Sequence, residues 1–493
     1  MENYKEYIIL FTNNFILLFT VFIFAIYIIL AVISAFTLRT YLRKNSYVNY
    51  DSILLAPLIP GVSVITPAFN ETKNIIENVK ALLSLYYNDI EIVVVNDGSS
   101  DDTLEKLIKS FDLERLTYAF DYRLPCERIK GVYKSNNMSY NRLIVVDKVN
   151  GGKSDSLNAG INVSSKELFV SIDADTIMEP DALLKLVKPF IEETDKQVIA
   201  TGGVIRIANS CEIQNGQVKE VHLPGNFLPR AQVLEYTRAF LMARMAWSRL
   251  DGLLLISGAL GMFDKEVVIK CGGYSIKTVG EDMELVVRMR RYMVENKKKY
   301  VVTYIPDPLV WTEVPEKLHI FSRQRNRWTR GTIETLYQHR KIFMNPKYGS
   351  FGMLGYTYWL LFEWLAPIIE FFGILYFTVI AILGLINWSF FILLFVFVYT
   401  FSVSTSVWAV LFEEMTYHKY QKKRDVIKLV FIALFEPFFF HPLNMILAVK
   451  ANFDYFSGKR QWGSMERKGF QSKKKRTFAE RVRMSRKTRK KYK

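Results

Sequence analysis

The 493-residue chain is half hydrophobic, 14% aromatic and 23% charged, which excludes both a disordered and a purely intramembrane protein and leaves room for two or three domains. Its formal charge of +17 is local: sixteen Lys and Arg against Glu466 and Glu480 fall after residue 458, an excess of +14, and the rest is nearly balanced at +3. Three scattered cysteines (Cys126, Cys211, Cys271) without a Cys-x-x-Cys, and five histidines without zinc spacing, exclude a disulfide framework and a zinc site, so any bound metal has oxygen ligands.

Residues Ile8 to Leu38 carry no charge, long enough to span a bilayer, and Arg39, Arg43 and Lys44 follow. The run is too long for a signal peptide and lacks a cleavage pattern, and positive-inside logic puts residue 40 onward in the cytoplasm. A strand is expected at Gly61–Pro67, a helix from Glu71 to about Leu85, and a second strand at Ile90–Val95 that runs into Asn96-Asp97-Gly98. Asp101-Asp102-Thr103 caps a short helix. Strand, helix and strand at this spacing imply a right-handed βαβ unit. Residues 112–141 read as an irregular polar insertion. A strand at Leu143–Asp147 is followed by Asn150-Gly151-Gly152-Lys153 and a helix to about Gly160.

Leu168–Met178 then reads as a buried strand that ends in Asp173-Ala174-Asp175. Two acids at i and i+2, leaving the carboxyl end of a strand in an α/β sheet, can both reach one hard cation such as Mg²⁺ or Mn²⁺. Taken alone, Asp-x-Asp is more often a polar turn. Asp97 and Lys153 fall at the same sheet edge, and a lysine beside a carboxylate–metal site suits a diphosphate leaving group. A helix at Pro180–Phe190 and a strand at Val198–Ile207 follow, and the region to about residue 345 reads as mostly helical. Within it, Gly280-Glu281-Asp282 opens one helix, and Gln324, Arg327 and Trp328 share a face of another. The bland alternatives are a charged helix start and an amphipathic interface helix.

From Phe351 to Lys450 the chain is apolar again, with spans expected at about 365–386, 388–412 and 426–449. Three crossings from a cytoplasmic domain would leave the basic tail outside. Either the 350–386 stretch crosses twice, or 426–449 is broken at Glu436-Pro437 and His441-Pro442 and re-enters. The basic tail favours a cytoplasmic C-terminus and an anionic lipid surface.

The ordered motifs ITPAFNE, VNDGSSDDT, NGGKSDSLNAG, SIDAD, ISGALG, GED and QRNRW, between about residues 60 and 335, resemble those of membrane-integrated, processive family 2 glycosyltransferases. That family includes cellulose, chitin, hyaluronan and poly-N-acetylglucosamine synthases. The resemblance implies an α/β, GT-A (Rossmann-like) cytoplasmic domain over 46–345, an N-terminal membrane helix over 1–45, a C-terminal membrane region over 346–455 and a basic cytoplasmic tail over 456–493. It implies that Phe69 and Lys153 flank the uracil or diphosphate of a UDP-sugar, and that Glu71 and Asp97 bind the uridine. Asp173 and Asp175 would hold Mg²⁺ or Mn²⁺. Ser257 and Gly258 would border the acceptor, Asp282 would be the general base, and Gln324, Arg327 and Trp328 would position the diphosphate and chain end. Trp462, in Trp-Gly-Ser, resembles a gating-loop motif. Gly280 stands where the family commonly has Thr, and Thr176 where cellulose synthases have His.

The expected activity is processive, inverting transfer from a UDP-sugar, first choice UDP-GlcNAc, to a growing β-linked polysaccharide that is moved across a plasma membrane. Glu363 and Glu370 are expected to line its channel, because carboxylates at membrane depth are functional by default. Accessory export or regulatory subunits are open as partners. The rivals are an enzyme adding one sugar to a lipid and a non-catalytic subunit with a degenerate domain. A nucleic-acid partner is the weakest reading, since the tail charge lies outside the folded domain.

Overall fold

The computed structural model describes residues 2–46, 48, 50–54, 59–214, 216–417, 420 and 422–458; Trp462 and the basic tail lie outside the described residues. The strands are β1 (Val62–Ala68), β2 (Ile90–Asn96), β3 (Leu113–Leu116), β4 (Ile129–Ser135), β5 (Leu143–Lys148), β6 (Leu168–Ser171), β7 (Thr176–Met178), β8 (Gln197–Ile207), β9 (Glu212–Gln214), β10 (Gln217–Glu220), β11 (Gly261–Asp264) and β12 (Tyr300–Thr312). Ten of them form one sheet in the order β3-β4-β5-β2-β1-β6-β11-β8-β12-β7, and β9–β10 is a separate antiparallel hairpin.

β5, β2, β1 and β6 run parallel to one another, so their carboxyl ends share one edge. β2 and β5 are buried at every position, which is why they read as unbroken apolar runs rather than alternating ones. Helix Lys153–Val163 packs on β1 and β2, and helix Ala182–Glu192 on β8 and β12. An apolar core formed this way takes in residues of every parallel strand. Each buried Val, Ile or Leu contributes about 1.5–3 kcal/mol relative to exposure.

Several expectations are corrected. The 112–141 insertion holds a strand pair, β3–β4, at the sheet edge. Only Leu113 of β3 is buried, so an edge strand in water leaves no period to read. The region after residue 207 is not mostly helical, because β11 and the thirteen-residue β12 complete the sheet. Pro306 and Pro308 disguise β12, and its register against β8 slips around them. Helix Ile75–Leu83 starts four residues later than Glu71. Leu168–Met178 is two strands: β6 ends at Ser171, and Thr176–Met178 pairs with β12 at the far edge of the sheet. The two acids occupy the turn between them.

Among the described residues four helices are long and apolar enough to cross a membrane, within 4–45, 351–382, 388–416 and 423–456, and they make this a membrane protein by length and composition. Large apolar side chains such as Leu18, Ile382 and Leu393 point outward from them. The last two expected irregularities are continuous helix. Residues 351–382 are one helical run, wound as π-type turns at Phe351–Gly355 and Trp359–Leu365, and Lys423–Phe456 continues through Pro437 and Pro442. Buried ion pairs lock these helices to the sheet domain: Arg206 of β8 to Glu413, and Arg238 to Glu436 with Ser406 alongside.

Candidate active site

The sheet edge assembles the site because each motif is the exit of a strand. Asp97 follows β2 and is buried. Its carboxylate accepts hydrogen bonds from the Gly151 amide (2.9 Å) and the Gly152 amide (2.8 Å), which shapes the turn before Lys153. Gly152 has φ +89°, a conformation that favours glycine. Lys153 is then the first residue of its helix. Its ammonium lies 2.5 Å from Asp173 Oδ1, 3.6 Å from Glu281 Oε1 and 3.4 Å from the Gly258 carbonyl. Burial opposes its charge, but Asp173 and Glu281 outweigh burial and the nearby Arg327, so its pKa stands above the ordinary lysine value.

Gly258 is where the two halves of the site meet. β11 runs antiparallel to β6 with Gly261 opposite Ser171, so the turn before it, Ser257–Leu260, falls beside Asp173. The Gly258 amide donates to Asp282 Oδ2 at 2.8 Å, while its carbonyl faces Lys153. A β-carbon at Gly258 would lie 3.0 Å from the Lys153 nitrogen and 3.3 Å from Asp282 Oδ2. Lys153, Asp173, Gly258, Glu281 and Asp282 therefore form one cluster, with Arg327 in electrostatic reach.

Helix Glu281–Glu295 carries Asp282 in its first turn, and Gly280 caps it without a side chain. The Gly280 amide instead donates to the Thr278 hydroxyl at 3.1 Å. Close packing is what a glycine permits here: a β-carbon on Gly331 would lie 2.6 Å from the Gly280 α-carbon. Glu334, one turn beyond Gly331, accepts from the Thr278 hydroxyl (2.8 Å) and the Val279 amide (2.9 Å). Helix Leu318–Gln338, which carries Gln324, Arg327 and Trp328, is thus bolted to the loop that presents Asp282. The Gln324 Oε1 is buried without a hydrogen-bond partner among the described residues. Trp328 is 39% exposed, and the Arg325 guanidinium sits 4.4 Å from its ring centre.

Asp175 is buried beside Asp173, with the Thr176 hydroxyl 3.5 Å from its Oδ1. Among the described residues no group of three or more His, Cys, Asp or Glu could hold a metal. Two carboxylates at a strand end are a fitting donor set for Mg²⁺ or Mn²⁺, which keep waters and take substrate phosphates as further ligands. Phe69 is half exposed after β1. Glu71 lies in the adjacent loop, its amide donating to the Thr103 hydroxyl at 3.1 Å. Glu363 and Glu370 are not in this cluster. They sit on the 351–382 helix, where Tyr358 donates to Glu363 (3.1 Å) and His441 meets Glu370 (2.9 Å).

Reading by sequence named Glu281 within the GED motif without giving it a role, and it missed Glu334, Gly331 and the buried Lys148, which show only through contacts between distant segments.

Residues 60–331 match the model of the glycosyltransferase-like family 2. A poly-beta-1,6-N-acetyl-D-glucosamine synthase of Staphylococcus aureus (strain COL) is 27% identical over 359 residues, 72% of either chain. A synthase of the same name from Staphylococcus epidermidis is 26% identical over 278 residues, 56% of either chain. A mannosyltransferase from Pyrobaculum calidifontis, solved with GDP-Man and Mn²⁺, covers 89% of this chain and 99% of its own at 16% identity and a TM-score of 0.49. The family match takes in more than half of the chain, including every strand of the mixed sheet and the edge where the motifs converge: the chain belongs to glycosyltransferase family 2 and is a glycosyltransferase with a GT-A-like domain.

Proposed function

We propose that the protein is a processive, inverting polysaccharide synthase that uses UDP-GlcNAc and passes a β-linked polymer across the membrane. The observation that carries this reading is the Gly258 junction, where Lys153 and Asp173 lie on one side and Asp282 on the other. The named activity of the staphylococcal relatives supports the choice of sugar.

In this reading Asp282 removes the proton of an acceptor hydroxyl, whose oxygen bonds to the anomeric carbon as the bond from that carbon to UDP breaks. The inverted, β-linked product keeps the oxygen, the proton stays on Asp282, and the electron pair leaves on UDP. Lys153 and Arg327 place positive charge where the diphosphate gains negative charge. Asp173 and Asp175 would hold Mg²⁺ or Mn²⁺, which when bound neutralises diphosphate charge. Phe69, Glu71 and Asp97 border the uridine side, and Ser257, Gly258, Gln324 and Trp328 the acceptor side. The unsatisfied Gln324 oxygen suits a sugar hydroxyl donor.

Two polar pairs involving the 351–382 helix, Tyr358 with Glu363 and His441 with Glu370, we assign to the growing chain. Charged groups at membrane depth facing lipid would be costly, and a hydrated polysaccharide would satisfy them. Incubation of purified protein with UDP-GlcNAc is expected to give long polymer. A single-sugar glycolipid as the sole product would instead identify a lipid glycosyltransferase.

We further assign three crossings, with both ends of the fourth helix on the side of the catalytic domain. Lys423–Phe456 is held to the domain near both ends and at Glu436, while its middle packs on the 351–382 and 388–416 helices: Tyr420 just before it packs with Ile207 and Val314, Glu436 pairs with Arg238, His441 meets Glu370, and Asp454 accepts from Asn326 at 2.9 Å. At 1.5 Å per residue its 34 residues span about 51 Å. A helix of that length pinned at both ends to one domain does not carry its C-terminus to the other side. In this reading the basic tail stays on the cytoplasmic side. A reporter fused after Lys493 is expected to read the cytoplasmic side, and a periplasmic or extracellular signal would require a fourth crossing.

A further inference from the structure

Lys148, the last residue of β5, is completely buried, although lysine is almost never so. Its ammonium has three acceptors: Asp97 Oδ1 at 2.7 Å, Asp155 Oδ1 at 2.5 Å and the Val149 carbonyl at 2.6 Å. Both carboxylates are themselves committed. Asp97 binds the Gly151 and Gly152 amides and the Asn150 side chain (3.1 Å), and Asp155 takes the Glu127 amide at 2.9 Å. The ammonium thus ties three segments together: the exit of β2, the glycine turn with its following helix, and the arm that returns from the β3–β4 side. A buried ion cluster is a poor source of net stability compared with apolar packing of equal volume. What it supplies is direction, since each partner admits only a narrow geometry. The segment so directed is the turn that launches Lys153 toward Asp173 and Gly258.

We propose that Lys148 is a positioning residue for sugar-nucleotide binding, acting through Asp97 and the Gly151–Gly152 turn to aim the Lys153 ammonium at the diphosphate. This rests on the transferase reading above and assigns to that site a residue that never touches the substrate. Without the Lys148 charge, Asp97 and Asp155 repel across the vacated space. The turn relaxes, and the Lys153 head group shifts.

Two measurements on the full-length protein in detergent or lipid test this. In the first, Lys148→Met is compared with wild type by hydrogen exchange, which needs no activity. Peptides covering residues 149–153 are expected to exchange at least ten-fold faster while those from β1 and β2 stay protected. In the second, kcat/KM for the UDP-sugar is measured in Lys148→Met, Lys153→Met and the double variant. The first is expected to lose about a hundred-fold, as for a misplacement of about 1 Å, and the double variant to be no worse than Lys153→Met alone. Lys148→Arg should restore part of the loss. Where Lys148→Met does not fold, Asp155→Asn, which keeps the Lys148–Asp97 pair, should give a smaller loss that also disappears in the Lys153→Met background. Losses that add in the double variant, or wild-type exchange at 149–153, overturn the proposal. If the wild type transfers no sugar, the functional reading fails instead, and the exchange experiment still decides whether Lys148 sets the turn.

Discussion

Asp282→Asn protein is expected to bind UDP as wild type does and to transfer sugar about a thousand-fold more slowly, within the range that a positioned general base contributes. The substitution is nearly isosteric. The carboxamide oxygen of the substituted side chain can still accept from the Gly258 amide or the Met283 amide, the two backbone donors that hold Asp282 now. Glu281, the other acid at this helix start, lies 3.6 Å from Lys153 and remains in place. The variant therefore removes the proton acceptor and little else. Titration of UDP against both proteins, beside initial rates of UDP release, separates binding from transfer. Turnover at the wild-type rate would show that another group takes the proton.

Gly331→Ala is expected to impair both stability and activity, contrary to the usual effect of that change. In the middle of a helix, alanine is favoured over glycine by about 1 kcal/mol. Here the new β-carbon would sit 2.6 Å from the Gly280 α-carbon and 2.9 Å from its nitrogen, and backbone cannot move aside as a flexible side chain can. Overpacking of this kind costs about 1–3 kcal/mol. The net effect should thus be a loss, relieved by separating helix 318–338 from the loop at 278–280. That movement carries Asp282 away from Gln324, Arg327 and Trp328, and a displacement of about 1 Å lowers the rate about a hundred-fold. A lowered melting temperature together with reduced kcat/KM is the expected pair of results. A variant that melts higher and keeps full activity would mean that the Gly280–Gly331 contact does not set the site. The contact also accounts for glycine at 280 where the family commonly has threonine: the hydroxyl is supplied by Thr278, and the space belongs to Gly331.

The parts of the fold visible in sequence are those where one local rule dominates. β2 and β5 are short apolar runs covered on both faces, and each gives way to Asp or Asn and Gly, so their ends could be placed to within a residue or two. Asp97, Lys153 and Asp173 could be placed at the sheet edge for the same reason, whereas Asp282, at a helix start, was singled out by the family resemblance. What stayed hidden depends on contacts between distant segments. β12 falls within a region read as mostly helical because Pro306 and Pro308 interrupt its strand pattern, and only pairing with β8 and β7 makes it a strand. Lys148 is not singled out, because no local pattern announces two carboxylates arriving from residues 97 and 155. The course of the last helix was undecidable from its prolines, since the Glu436–Arg238 and Asp454–Asn326 contacts that hold it come from the domain.

The most direct test of the central claim is UDP release by the purified full-length protein, offered UDP-GlcNAc, UDP-Glc, UDP-GalNAc and UDP-GlcA in turn with Mg²⁺ or Mn²⁺. The account predicts release from UDP-GlcNAc well above the others, lost on chelation or in Asp173→Ala. Release restricted to a different UDP-sugar would contradict the donor assignment, and release unaffected by both chelation and Asp173→Ala would contradict the role given to the acids between β6 and β7.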